Sequence, residues 1–385
     1  MGLLLRRARC LEDGGWSSPR DVRVERGVVR VAGGGAAGDV EVDLEGRFLL
    51  PALVNAHDVL DLSTLPPLGR PPYASLYDWT RAAEEDLAGL APALAVPLVD
   101  RLFLGGLRNL LAGVAAVLHH HPDHRSLRQT DFPVRVQRRY GFAHSPGLTV
   151  ALRRTYRTSD RRVPWLVRAV EGSDPGLRAE LDALAAANVL RQNTVIVHGT
   201  ALAPEDAPRL AAARASVAWC PESDRRLYGR TAPVAALRNG GVSVGLGSDA
   251  PSAGARDALS NLAAARREGV LDDAALLRLA TRDSAAVARF APGGFEDGAP
   301  ADLLAVDSPE RLLEGDRLAV ALLLVRGAVA CGEPSLLAQA GRAAVAISLD
   351  GGRRALVEPL ARRLATILRR HPAARGALWL SGVAL

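Results

Sequence analysis

From about residue 49 the chain repeats one pattern: a short apolar run of buried-strand character, then a stretch with helical spacing. The strand-like runs fall at 49–56, 114–119, 134–136, 165–170, 194–198, 216–219 and 242–246, with helical stretches at 92–111, 175–187, 204–214 and 232–239 between most of them. Strand–helix units whose strands are apolar along their whole length predict a parallel sheet, open or closed into a barrel, that is covered on both faces. Seven strands can be counted, and an eighth, needed for closure, is expected within 141–160.

The flanks read differently. Residues 3–48 alternate short β-like runs with glycine-rich turns, which predicts a small antiparallel sheet. Gly33, Gly35 and Gly38 spell GxGxxG, but the motif runs into the strand-like 40–43 instead of opening a helix, so they read as turn glycines and no nucleotide cofactor is expected. After helices at 256–268 and 272–290, residues 293–306 and 320–327 return to turn and strand character and are expected to complete that sheet. Residues 335–372 carry apolar positions at three and four spacing and read as helices, for packing or a homo-oligomer surface.

Composition narrows the chemistry. The 385 residues contain no lysine, so all 48 basic side chains are arginine. A Schiff-base lysine and a binuclear centre bridged by a carboxylated lysine are both excluded. The net charge is +6, but the arginines are spread along the chain without interleaved aromatics, so no nucleic-acid partner is expected. Cys10, Cys220 and Cys331 are far apart and odd in number, which predicts reduced, buried thiols. No apolar run reaches about 18 residues, so no membrane span is expected and the chain reads as cytoplasmic.

Candidate chemistry sits at strand ends. His57 ends the first buried run, where barrel enzymes keep their reactive groups. A histidine two positions on would point the same way and help grip one metal ion, but that position is Val59. His119, His120, His121 and His124 cluster after another strand; His119 and His121 share a face by alternation and are candidate substitutes for missing ligands. His198 ends the run 194–197, Asp249 follows 243–246, and Glu171 lies in a turn-like stretch after 165–170. Arg168, His144 and His121 are candidate substrate contacts. Cys220 has no histidine partner identifiable by spacing.

These segments resemble the amidohydrolase superfamily, in its cytosine-deaminase and chlorohydrolase-like branch. The motifs that carry the resemblance are Leu50-Pro51-Ala52-Leu53-Val54-Asn55-Ala56-His57, Val195-Ile196-Val197-His198-Gly199, Trp219-Cys220-Pro221-Glu222-Ser223, Gly245-Leu246-Gly247-Ser248-Asp249 and Gly298-Ala299-Pro300-Ala301-Asp302-Leu303. The resemblance implies an α/β fold with a TIM-like (β/α)₈ barrel over 49–298, a small β-sandwich from 1–48 plus 299–333, and leaves 334–385 as a C-terminal helical extension. It implies a hydrolase of non-peptide C–N bonds on a small polar substrate, with one divalent metal (Zn or Fe) held by His57 and Asp249. Two further ligand positions of the family are occupied here by Val59 and Arg168, neither of which can coordinate. In the implied chemistry Asp249 takes the water's proton, His198 orients the oxygen and Glu171 protonates the leaving nitrogen. The alternative is a metal-free descendant that binds a ligand or partner, or does acid–base chemistry with Glu171, His198 and Asp249. In either case Arg168, facing two carboxylates, is expected to form an ion pair with Glu171 or Asp249.

Overall fold

The computed structural model describes residues 2–13, 15–31, 35–87, 89–380 and 382–384. Eight parallel strands among them carry the larger unit: β1 (Leu53–Asp58), β2 (Val114–His119), β3 (Arg135–Val136), β4 (Gly141–Ala143), β5 (Trp165–Ala169), β6 (Thr194–His198), β7 (Ser216–Trp219) and β8 (Ser243–Leu246). They form two arcs, β1-β2-β3 and β4-β5-β6-β7-β8. Just past β8, the Ser248 and Asp249 N–H groups both donate to the His57 carbonyl, at 2.9 and 3.1 Å, and join the arcs on that side. The strand expected within 141–160 is β4. Between β3 and β4 no ladder runs among the described residues, so the α/β unit is two arcs and not one hydrogen-bonded ring.

The run expected as one strand over 49–56 is divided. Phe48–Pro51 pairs with Leu303–Val306 in a second sheet, and β1 begins at Leu53, whose N–H turns to Gly113 O at 3.1 Å. Ala52 is the changeover, its N–H on Asp302 O at 2.9 Å. The second sheet is mixed, with twelve strands drawn from both chain ends, including Leu3–Glu12, Val320–Val325 and Ala328–Gly332. Residues 334–385, expected to be helical, instead extend this sheet with Ala344–Leu349, Gly352–Val357 and Val383–Ala384, alongside the helix Glu358–Arg370. Alanine and arginine favour helices locally, but pairing at an open sheet edge outweighs propensities of a few tenths of a kcal/mol. Of the GxGxxG glycines, Gly38 turns at φ 90° and Gly33 lies outside the described residues. No helix among the described residues is long and apolar enough to cross a membrane.

Two helices bear on the site. Helix α1 (Leu76–Leu87) follows β1 through a long connection, and helix α2 (Leu98–Leu111) backs β1 and β2. Gly105 of α2 is pressed against the chain after β1: a Cβ there would lie 2.3 Å from the Leu60 carbonyl oxygen. Since that obstacle is backbone, Gly105→Ala is expected to cost about 3 kcal/mol, read as a lowered urea midpoint at unchanged slope.

Candidate functional site

Four strands and the turns after them converge. β1 supplies His57, β5 supplies Arg168 with Glu171 in its following turn, β6 supplies His198, and Asp249 follows β8. Three non-glycine residues here adopt left-handed backbone: Val170 at φ 55°, His198 at 69° and Asp249 at 54°. Such conformations cost on the order of 1–3 kcal/mol each and persist where the surroundings impose them, typically at ligand sites. The Val170 turn folds Glu171 back over Arg168, and its N–H is tied to Glu180 Oε2 at 2.6 Å.

The charges interlock. Arg168 grips Glu171 bidentately, Nε to Oε2 at 2.8 Å and Nη2 to Oε1 at 2.7 Å, and its Nη2 stands 3.5 Å from Asp249 Oδ2. The expected ion pair therefore reaches both carboxylates. Tyr228 donates to Glu171 Oε1 at 2.6 Å, and the Trp79 ring lies under the guanidinium, 5.2 Å from ring centroid to Cζ. Burial would raise the Glu171 and Asp249 carboxyls. The Arg168 and His198 cations outweigh it and hold both below the usual range, Asp249 far below. His198 Nδ1 donates to Asp224 Oδ1 at 2.7 Å, and its Nε2 lies 3.3 Å from Asp249 Oδ2 and 3.7 Å from Glu171 Oε1. Burial opposes its charge, but Glu171, Asp224 and Asp249 raise its pKa to about 10. Neither Asp224 nor Tyr228 is marked in the sequence; both lie on helix α3 (Pro221–Tyr228), which follows the Trp219-Cys220 motif.

On the other flank, His57 Nε2 meets His120 Nδ1 at 2.8 Å, and His120 Nε2 meets Ala143 O at 3.1 Å. A carbonyl only accepts, so His120 carries its proton on Nε2, His57 donates from Nε2, and His57 Nδ1 is left with a lone pair. Burial holds both rings neutral, their pKa well below the ordinary value. Cys220 Sγ lies 3.8 Å from His57 Nδ1, a partner that spacing alone did not identify; burial keeps the thiol protonated. His119 and His121, expected to replace lost ligands, turn to Asp61 instead: His121 Nδ1 is 3.0 Å from both Asp61 oxygens and His119 Nε2 is 3.8 Å from one. The register slips between Asn55 and Asp58 where β1 meets β2, and past His119 strand alternation no longer holds, so His120 is the ring brought to His57. Val59 is buried and offers no donor.

The connection 59–97 roofs the site. Leu76 N–H donates to Glu171 O at 3.0 Å, Ser75 bridges Gly172, and Leu68 N–H donates to Ser252 O at 2.8 Å. Gly172 is required there, since a Cβ would fall 2.2 Å from Ala74 O. His144 is exposed, with its ring 5.9 Å from those of His121 and Phe142, and borders a cavity of about 630 Å³ also lined by Tyr140 and Phe142.

The donor chemistry suits a metal cation. His57, His198 and Cys220 each present one donor atom, all within 4.8 Å of one another. His198 Nε2 and both Asp249 oxygens are buried without a hydrogen-bond partner among the described residues, which is costly unless a further group satisfies them.

The amidohydrolase family matches residues 169–332, so the resemblance read from the motifs is borne out there. The 5-methylthioadenosine/S-adenosylhomocysteine deaminase of Halobacterium salinarum is 35% identical over 136 residues, 33% of this chain and 32% of that one. The matching enzyme of Haloarcula marismortui is 32% identical over 128 residues, 31% of this chain and 30% of its own. The matched stretch thus spans about a third of these relatives' length. Among solved structures, an adenosine deaminase from Xanthomonas campestris with bound zinc superimposes with a TM-score of 0.73 at 19% identity, covering 97% of this chain and 98% of that one. Atrazine chlorohydrolase from Arthrobacter aurescens TC1 with zinc gives 0.69 at 17% identity, covering 95% and 99%. At these identities the likeness is one of fold: a TIM barrel with an additional domain.

Proposed function

We propose that this protein is a hydrolase of non-peptide C–N bonds, releasing ammonia or an amine from an amino-substituted heterocycle. The observation that supports it is the meeting of Glu171, His198 and Asp249 at three strand ends, each carboxylate kept ionised while buried. The relatives named for 5-methylthioadenosine/S-adenosylhomocysteine deamination support an amino-substituted heterocycle as the substrate class. We read the two arcs as a barrel over 53–298, beside a domain from both chain ends.

Water adds to an sp² ring carbon and loses a proton to Asp249 as the C–O bond forms. Glu171, ionised under Arg168 and Tyr228, is placed to collect a proton and pass it to the departing nitrogen as the C–N bond breaks. It acts as a proton carrier, the role that the resemblance implies for this position. Arg168 fixes the carboxylates relative to each other, and the aromatic wall of Phe142 and His144 suits a planar substrate. Because Glu171, His198 and Asp249 are almost wholly buried, entry requires the roof 59–97 to shift. A divalent ion, for which His57 and Asp249 are the holders that the resemblance names, would supply a water of lowered pKa.

The test is ammonia or amine release from a panel of aminopurines, aminopyrimidines and aminotriazines. Asp249→Asn and Glu171→Gln are each expected to lower kcat by about 100-fold or more, with circular dichroism unchanged. Compounds that bind the folded, metal-replete protein but are never hydrolysed would overturn the proposal. Such a result favours the metal-free reading, for which Arg168 beside Asp249 is the supporting observation.

A further inference from the structure

We propose that the protein holds one zinc-class ion through a ligand set of its own: His57 Nδ1, His198 Nε2, Cys220 Sγ and an Asp249 oxygen. The inference rests on the hydrolytic reading for the ion's purpose, but not for its binding. It reassigns His198 from orienting water to holding the metal, and it makes Cys220 the replacement for a lost imidazole.

Four observations converge. The first is spacing. With Zn–N and Zn–O near 2.0–2.1 Å and Zn–S near 2.3 Å, neighbouring donors of a tetrahedral ion with one sulfur stand about 3.3–3.6 Å apart, so side-chain shifts of a few tenths of an ångström bring the pairs below to that spacing. Cys220 Sγ to His57 Nδ1 is 3.8 Å, His198 Nε2 to Asp249 Oδ2 is 3.3 Å and His57 Nδ1 to Asp249 Oδ1 is 4.0 Å.

The second is orientation from behind. The His120–Ala143 chain occupies His57 Nε2, and Asp224, itself held by Thr231 at 2.8 Å, occupies His198 Nδ1. Metal-ligating histidines are held in this way by a partner on the other ring nitrogen. The third is the set of buried atoms without a hydrogen-bond partner among the described residues: His198 Nε2 and both Asp249 oxygens, of which Oδ2 stands 3.3 Å from His198 Nε2 and 3.5 Å from Arg168 Nη2. The fourth is Gly247, where a Cβ would sit 2.8 Å from His57 Cβ and 2.9 Å from Cys220 Sγ. Glycine there permits the approach of imidazole and thiol. Two imidazoles with a thiolate favour zinc, cobalt or iron over magnesium or calcium. Binding displaces the protons of the thiol and of His198 Nε2, so affinity rises with pH.

The test uses the full chain, stripped with chelator and reloaded with zinc or cobalt(II), without substrate. About one ion per chain is expected by elemental analysis, and the cobalt form is expected to show a thiolate-to-cobalt charge-transfer band in the near ultraviolet. Cys220→Ser should abolish the band and weaken binding more than about 100-fold, whereas Cys10→Ser and Cys331→Ser should keep it. The wild-type spectrum tests the thiolate by itself, so a poorly folding variant does not shield the proposal. Absence of the band, or its survival in Cys220→Ser, would overturn it. A loaded protein that shows the band but hydrolyses nothing sinks the hydrolytic reading alone, and a protein that turns over substrate but shows no thiolate band after loading sinks this site alone.

Discussion

Arg168→Met is expected to destabilise the fold by about 3–5 kcal/mol, enough to shift a urea midpoint at unchanged slope. Methionine fills much of the same volume but leaves Glu171, 1% exposed, as a buried carboxylate with Tyr228 as its one remaining side-chain hydrogen-bond donor among the described residues. It also removes the cation beside Asp249 and the guanidinium stacked on Trp79. The double variant Arg168→Met/Glu171→Gln should recover most of the loss, because the neutral amide does not carry a charge into the interior. Arg168→Lys should not rescue, since an ammonium cannot span both Glu171 oxygens. A single variant within about 1 kcal/mol of the parent would show that the pair contributes little to the fold.

Stability should fall as the pH is lowered from about 6.5 toward 4. His57, His119 and His120 are buried and neutral; burial lowers all three, His119 to about 4. In the unfolded chain each takes up a proton near pH 6.5, while in the folded chain it does so only at lower pH. The unfolded state therefore binds more protons across this window, and stability rises with pH through it. The gap between 6.5 and about 4 for His119 corresponds to about 3 kcal/mol. His198 acts in the opposite sense: its contribution is complete below pH 6.5 and is lost as the pH rises through about 10. Urea midpoints at pH 4.5, 7 and 9.5 should peak at the middle value, and His119→Asn should flatten the acid limb. A midpoint unchanged between pH 7 and 4.5 would contradict this account.

Local pattern carried much of the architecture. Apolar runs marked β1, β2, β3, β5, β6, β7 and β8, because strands covered on both faces must be apolar throughout. Where β4 spans only three residues, periodicity had little to register, and the sequence placed it no more closely than 141–160. The strands at 344–349 and 352–357 were hidden by residues that favour helices when alone, and only the sheet edge made them strands.

The sequence by itself determined which residues end the strands, and so placed His57, Arg168, His198 and Asp249, with Glu171 one turn on. It also determined that Arg168 would meet a carboxylate, since a cation between two acids in a buried mouth has no cheaper arrangement. Tertiary structure alone decided the partners. A register slip brings His120, and neither His119 nor His121, to His57. The turn into α3 carries Asp224 and Tyr228 to His198 and Glu171. The missing Cβ of Gly247 lets Cys220 approach an imidazole 163 positions away. Strand ends follow from the local alternation of apolar and polar residues, whereas the contacts between those ends depend on register, turns and close packing among segments far apart in the chain.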